Sequence, residues 1–224
     1  MSNLSGLIIA SGYSKRMGKP KPLLVFNDVS FLSGIILKLG LICNKIIIVL
    51  GHQKELIEKE TKEFFNSTQK GLSVNNCFRR TKDITSFLYN SSFPIGMFTS
   101  IQYGLSHLLN STWVIYHFVD QPNLPVSFYF DIKDQIESGF DWIQPVYNKN
   151  PGHPILINNN LFSPILNASK TSTLRSIVKS QKVNKKYWNT KYQEVIFDCN
   201  TKEDYEKLAS ADNESLLENL TLYI

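Results

Sequence analysis

The stretch that decides the fold runs from Leu7 to Leu24 and reads LIIASGYSKRMGKPKPLL. An apolar run ends at Ala10 and opens into a loop with two glycines and four cations, Lys15, Arg16, Lys19 and Lys21. A buried strand that leads into such a loop can present backbone N–H groups and cations to one ligand. The stretch therefore predicts a loop that binds a triphosphate.

The spacing within this loop excludes the common nucleotide and nucleophile motifs. Gly12 and Gly18 enclose five residues, and Lys19 is followed by Pro20, so the loop is not a Walker P-loop. The G-x-G-x-x-G fingerprint is absent too. A nucleophile elbow would need glycine where Arg16 stands.

The composition is typical of a soluble globular protein. It has 224 residues, 42% of them hydrophobic and 19% charged, which suits one α/β domain spanning residues 1–224. We expect a cytoplasmic location and no membrane partner, because the chain has no signal peptide, no membrane-length apolar run and only three widely spaced cysteines. The net charge of +5 raises the possibility of nucleic-acid binding. Its basic residues are mostly scattered and accompany no nucleic-acid motif, so we expect an enzyme that handles phosphates instead.

Apolar runs and helical periodicity alternate along the chain. Strands are predicted at Leu4–Ala10, Lys45–Leu50, Trp113–Val119, Trp142–Val146, Pro154–Ile157 and Gln193–Phe197. Helices are predicted at Phe31–Leu41, Gln53–Phe65, Gly96–Leu109, Val126–Ser138, Thr171–Ser180 and Thr201–Leu208, with Thr201 as N-cap and Asp204 at N3. Residues 66–85 are predicted to form a loop and an irregular strand. This order indicates an α/β fold with a doubly wound, mainly parallel (mixed) sheet, whose ligands bind beyond the carboxyl ends of the strands.

The opening loop resembles the signature of a known enzyme family. Ala10–Gly18, with Lys21, Leu23 and Leu24, is similar to the L-A-A-G-x-S-x-R-M-G-x-x-K-x-L-L signature of nucleotidyltransferases, and most similar to the molybdenum cofactor cytidylyltransferase-like (MobA/MocA-like) branch. Ser11 replaces the second alanine of that signature. The resemblance implies a Rossmann-like nucleotidyltransferase fold.

The same resemblance implies an activity. A nucleotidyl group would move from an NTP, with CTP favoured, to a phosphate-bearing acceptor, with molybdopterin favoured, and pyrophosphate would leave with the help of Mg²⁺. The guanylyl branch, another phosphate acceptor, and a nucleotide-binding accessory protein without catalysis all stay open. So does the identity of any partner molybdoenzyme or chaperone.

The resemblance also assigns residues to roles. The predicted catalytic residues are Arg16, Lys21 and Asp120. The predicted nucleotide-binding residues are Ala10, Ser11, Gly12, Ser14, Arg16, Lys21, Asn90, Gly96 and Ser100. The predicted acceptor-binding residues are Gln121 and Pro122, which belong to a D-Q-P segment, and Gly152 and His153, which belong to a G-H-P segment.

Metal binding is expected at the carboxyl ends of two predicted strands. Asp120 follows the strongest predicted strand, and a carboxylate that faces a triphosphate suits Mg²⁺. By resemblance to a late D-x-D-T segment, Asn200 and Asp198 are the further candidate ligands, with Asn200 where the family usually has aspartate. Asp120 could instead form a turn, Asn200 could cap a helix, and His153 could be structural.

One segment departs from the family pattern. The family often has Gly-Asp shortly before a Leu-Arg pair, whereas here Lys170-Thr171-Ser172-Thr173 precedes Leu174-Arg175. An acidic residue is therefore missing and a lysine lies nearby. We expect the acceptor pocket to differ at this point.

Overall fold

The computed structural model of the protein describes residues 3–14, 17–67, 72–210 and 215–224. The strands are β1 (Leu4–Ala10), β2 (Val25–Phe26), β3 (Val29–Ser30), β4 (Lys45–Leu50), β5 (Thr85–Tyr89), β6 (Trp113–Phe118), β7 (Trp142–Tyr147), β8 (Asn150–Pro151), β9 (Ile155–Asn158) and β10 (Lys185–Asn189). The α-helices are α1 (Phe31–Ile42), α2 (Lys54–Asn66), α3 (Leu72–Asp83), α4 (Met97–Leu105), α5 (Val126–Lys133), α6 (Phe162–Leu166), α7 (Leu174–Ser180), α8 (Lys202–Ser210) and α9 (Leu216–Leu220).

A central sheet organises these elements in the order β10-β7-β9-β6-β1-β4-β5, and β8 pairs with β7. β1 runs parallel to both of its neighbours, β4 and β6. β9 is the reversed strand, antiparallel to β6 and to β7. The predicted mixed, mainly parallel sheet is therefore confirmed. The carboxyl ends of β1 and β6 lie side by side, and the loops that follow them meet.

Helices cover both faces of the sheet because its inner strands are apolar on both sides. Ile8, Ile48 and Ile115 face one layer, which α1, α3 and α5 cover. Leu7 and Val114 face the other layer, which contains α4, α6 and α7. A Cβ on Gly104 would collide with Leu7, so α4 lies directly against β1. No helix among the described residues is long and apolar enough to cross a membrane.

The prediction for residues 66–85 is wrong. Residues 72–83 form α3, and the regular strand β5 follows it at the sheet edge. The sequence of α3 is mostly polar and offers few apolar residues to a prediction. The helix is held by tertiary packing, since Phe78 is buried and its ring lies 5.1 Å from that of Phe64.

The predicted strand at Gln193–Phe197 is also wrong. Gln193–Ile196 is a 3-10 helix. Its buried Val195 offers its carbonyl oxygen to the loops around the site instead of to a strand. The longest strand that the prediction missed on this side of the sheet is β10, an exposed edge strand rich in lysine and aromatic residues. Three predicted helices are shorter in the structure: α4 ends at Leu105, α5 ends at Lys133, and α7 begins at Leu174 after its N-cap Thr173.

Candidate active site

Two loops and one late segment enclose a cavity of about 310 Å³ at the carboxyl ends of β1 and β6. The sequence-predicted residues that line it are Ala10, Ser11, Gly12, Ser14, Lys21, Asp120 and Asn200. Arg16 lies outside the described residues. The doubly wound topology brings these positions together, although up to 179 residues of chain separate the contacting pair Lys21 and Asn200.

Lys21 is the central cation of this cavity. Its Nζ donates to Oδ1 of Asn200 at 2.7 Å and lies 3.4 Å from Oδ2 of Asp120. Its backbone N–H donates to Oγ of Ser14 at 3.0 Å, which ties the two parts of the loop together. The side chain is only 13% exposed. Lys21 is therefore held in place before any ligand arrives.

The segment around Asn200 is fixed by two sets of backbone bonds. The N–H of Cys199 donates to the carbonyl oxygen of Asp120 at 2.8 Å. The N–H groups of Asn200 and Thr201 donate to Oδ2 of Asp204, and Oγ1 of Thr201 accepts from the N–H of Asp204. This confirms the predicted Thr201 cap of α8. The same backbone bonds lower the pKa of Asp204.

Asp120 and Asn200 have the chemistry of a divalent-cation site. Oδ1 of Asp120 is buried and has no hydrogen-bond partner, and the residues Asp120 and Asn200 both line the first cavity. Oxygen ligands of this kind suit Mg²⁺ or Mn²⁺. Within the described ranges, no group of three or more His, Cys, Asp or Glu residues could hold a metal alone. A cation held by Asp120 and Asn200 would need further oxygen ligands, which water, phosphate or neutral protein groups can supply.

Asp198 lies beside this pair but does not line the cavity. Partial burial raises its pKa, and the negative charge of Asp120 raises it further, while Gln121 and Lys21 act in the opposite direction. Asp198 is therefore part of the electrostatic surroundings of Asp120.

Asn90 and Ser100 lie behind the loop and do not line the cavity. Nδ2 of Asn90 donates to Oγ1 of Thr99 and to Oγ of Ser100, each at 2.9 Å. Oγ of Ser100 is 3.0 Å from Oγ of Ser11. This buried chain of hydrogen bonds links β1, α4 and the segment after β5, and so fixes the position of Ser11.

A second, larger cavity of about 900 Å³ adjoins the first, with Met97 and Phe118 lining both. Its floor is the sheet face made by β6, β9, β7 and β10. Its walls come from α4 and α7, and Gly96 and His153 also line it. The volume is sufficient for a bulky second substrate.

His153 is positioned by Gly152 and Val195. A Cβ on Gly152 would collide with the backbone of Val195, and the N–H of His153 donates to the Val195 carbonyl at 2.8 Å. The His153 ring lies 4.5 Å from that of Phe118, and its Nδ1 is buried without a partner. Burial lowers the pKa of His153 to about 4, so the ring is neutral near pH 7.

Gln121 and Pro122 lie away from both cavities. Nε2 of Gln121 donates to the Val195 carbonyl at 3.2 Å, and the residue is buried. Nζ of Lys38 donates to the backbone carbonyl oxygen of Pro122 at 2.6 Å and to that of Leu124 at 2.9 Å.

The sequence reasoning missed several residues of the site. Tyr13, Phe93 and Met97 line the first cavity, and Trp142 and Tyr187 line the second. Lys38, buried in the helix layer behind the Asp120 loop, was missed as well. A lone lysine within the apolar stretch GIILKLG was the available signal for it.

Comparison with known proteins bears on the family and the fold of the chain. The chain is 24% identical over 206 residues to molybdenum cofactor cytidylyltransferase from Escherichia coli (strain K12), covering 92% of this chain and 95% of that protein. The crystal structure of Rv0371c from Mycobacterium tuberculosis H37Rv has a similar fold, with a TM-score of 0.71 at 18% identity, and covers 94% of this chain and 98% of that one. A manganese complex of Rv0371c has a TM-score of 0.67 at 16% identity, covering 94% of this chain and 100% of that one.

The model of the MobA-like NTP transferase domain matches residues 6–185. This match confirms the family predicted from the opening loop, and the chain therefore belongs to the MobA-like NTP transferase domain family and is a nucleotidyltransferase.

Proposed function

We propose that the protein transfers CMP from CTP to the phosphate of molybdopterin and releases pyrophosphate. An acceptor phosphate oxygen attacks the α-phosphorus, a new P–O bond forms, and the bond from the α-phosphorus to the bridging oxygen of the pyrophosphate breaks. The observation that carries the proposal is the meeting of Lys21, Asp120 and Asn200 in a cavity that opens into a larger one. The Escherichia coli relative supports the choice of nucleotide and acceptor.

The first cavity is the proposed nucleotide site. Backbone N–H groups of the loop from Ala10 to Ser14 would bind the phosphates, and Lys21 would neutralise the charge that develops on the leaving pyrophosphate. Arg16 is proposed to share this task. Asn90 and Ser100 would shape the site around the base and ribose, because Asn90 donates to Ser100 and Ser100 is hydrogen-bonded to Ser11. Gly96, which the sequence predicts to bind the nucleotide, lines the second cavity instead.

Asp120 and Asn200, with Asp198 as a further candidate, are the proposed holders of Mg²⁺. The ion, when bound, would supply charge neutralisation at the phosphates. The unpartnered Oδ1 of Asp120 supports this assignment, and the manganese complex of Rv0371c supports a divalent cation.

The second cavity is the proposed acceptor site. His153, held by Gly152, would contact the acceptor as a neutral ring. Gln121 and Pro122 would not contact the acceptor. Their hydrogen bonds to Val195 and Lys38 would hold the loop that contains Asp120 in position. We also propose that residues 1–224 form one domain that works in the cytoplasm, which its three free cysteines support.

Pyrophosphate release tests the proposal. The purified protein is incubated with Mg²⁺ and each of CTP, GTP, ATP and UTP, with and without molybdopterin. Release only with CTP plus molybdopterin is expected. Release with GTP would place the protein in the guanylyl branch. Nucleotide binding without release under any condition would contradict the proposed reaction and favour the accessory protein.

A further inference from the structure

The larger cavity is a groove that crosses the sheet. Its floor is formed by side chains of four neighbouring strands: Tyr116 and Phe118 on β6, Ile155 on β9, Trp142 and Gln144 on β7, and Lys185 and Tyr187 on β10. One end of the groove, at Met97 and Phe118, opens into the cavity that contains Lys21 and Asp120. The other end lies at the edge strand β10.

The end of the groove near β10 and α7 carries several positive charges. Lys185 stands on β10, Arg175 and Lys179 stand on α7, and Lys170 lies in the loop before α7. Among the described residues, none of these four forms an ion pair, and no aspartate or glutamate lines the groove. A concave surface with charges of one sign attracts ligands of the opposite sign.

Without a bound anion, the positive charges on α7 lower the stability of this helix. Arg175 and Lys179 are four residues apart, so they share one face of the helix, where like charges destabilise it. No aspartate or glutamate of the described residues lines the groove near Lys170 to balance these charges. An anionic ligand would supply a counter-charge.

Lys185 is too far from the reaction centre to bind the phosphate that reacts. Asp120 follows β6, whereas Lys185 is on β10, and the order β6-β9-β7-β10 separates them by three strand spacings, roughly 14 Å. The register adds to this distance, because Lys185 pairs with Trp142, Trp142 with Ile157, and Ile157 with Val114, at the beginning of β6.

We propose that the far end of the groove binds a second anionic group of the acceptor, separate from the phosphate that reacts. This rests on the proposed function and narrows it. The acceptor is elongated, carries a phosphate at one end, spans the aromatic floor at Trp142, and carries a phosphate, carboxylate or thiolate near Lys179 and Lys185. The absence of acidic lining disfavours acceptors whose far end is cationic, such as amino or trimethylammonium phosphates.

The test measures binding of simple probes and does not require turnover. Octanediol bisphosphate, with one phosphate at each end of an eight-carbon chain, is compared by calorimetry with octyl phosphate, which lacks the second anion. We expect the wild-type protein to bind the bisphosphate about tenfold more tightly, because a second set of charge-assisted hydrogen bonds forms. Butanediol bisphosphate, which is too short to reach both ends, should lose this advantage.

The double variant Lys179→Gln/Lys185→Gln should bind octanediol bisphosphate and octyl phosphate equally. The matched control is Lys182→Gln, an exposed lysine between α7 and β10 that does not line the groove, and it should keep the tenfold preference. Equal binding of the two probes by the wild type would overturn the proposal. A preference for octanediol bisphosphate that survives in the double variant would also overturn the proposal. The proposal would fail as well if Lys182→Gln lost the preference to the same extent as the double variant.

The inference and the proposed function can fail separately. Preference for the bisphosphate without pyrophosphate release from any nucleotide would reject the proposed reaction but keep the anion-binding end of the groove. Pyrophosphate release with CTP and molybdopterin, with no preference between the probes, would keep the reaction and reject the second anion site.

Discussion

The ammonium of Lys21 donates a hydrogen bond of 2.7 Å to the amide oxygen of Asn200. The same ammonium is 3.4 Å from Asp120. Lys21 thus bridges the two proposed metal ligands. Neutral Asn200 leaves one formal positive and one formal negative charge in this group, so the site attracts a cation less strongly than a pair of carboxylates would.

Asn200→Asp should strengthen metal binding. The added carboxylate contributes charge at a position already fixed by the Thr201–Asp204 cap, which the substitution leaves intact. We expect the concentration of Mn²⁺ that half-saturates the protein to fall about tenfold. Calorimetry in the presence of a CTP analogue that cannot react measures this concentration. Unchanged affinity would show that Asn200 does not contribute to the cation site.

Lys21→Ala should lower turnover by on the order of a hundredfold, because the leaving pyrophosphate loses its held cation. The measurement is the rate of pyrophosphate release at saturating nucleotide. Lys59→Ala, on the exposed face of α2, is the matched control and should retain the wild-type rate. Near-normal turnover of Lys21→Ala, in protein with a normal unfolding transition, would remove Lys21 from the catalytic residues.

Gly152→Ala should disturb the His153 turn. A methyl group there would lie against the Val195 backbone, which cannot move without shifting its bonds to His153 and Gln121. We expect the free energy of unfolding in urea to fall by about 1–3 kcal/mol. The KM for the acceptor should rise more than the KM for the nucleotide. A larger rise for the nucleotide would contradict the assignment of His153 to the acceptor side.

Lys38 should make stability depend on pH. Burial lowers its pKa in the folded protein to about 7, from an ordinary value of 10.5. Between these values the unfolded chain binds more protons than the folded one, so the free energy of unfolding rises as the pH increases from about 7 to 10.5. Below pH 7 the cost of burying the charge is fully present.

The variant Lys38→Met isolates this contribution. Urea unfolding of wild type and variant across the alkaline range gives the difference in slope. The wild-type protein should gain stability with increasing pH relative to the variant. Parallel profiles would show that Lys38 titrates alike in the folded and unfolded states.

The sequence could predict the meeting of Lys21 with Asp120, because both follow strands that the βα alternation places side by side. It could not predict that Asn90 donates to Thr99, or that Ser100 is hydrogen-bonded to Ser11. These contacts with hydroxyl groups depend on where α4 lies against the sheet. Helix α3 was not predicted because its sequence is mostly polar, and the packing of Phe78 against Phe64 and Phe65 of α2 is visible only in the structure. The sequence did point to Lys170 and Arg175 as the place where the acceptor pocket differs. It did not place Lys185 there, because β10 has the composition of a surface loop.

The most direct test of the central claim is pyrophosphate release by Asp120→Ala with CTP, Mg²⁺ and molybdopterin. Asp120 brings the carboxylate with the unpartnered oxygen to the site, so the account predicts a loss of turnover of on the order of a hundredfold or more, with folding intact. A folded Asp120→Ala variant that releases pyrophosphate at the wild-type rate would contradict it.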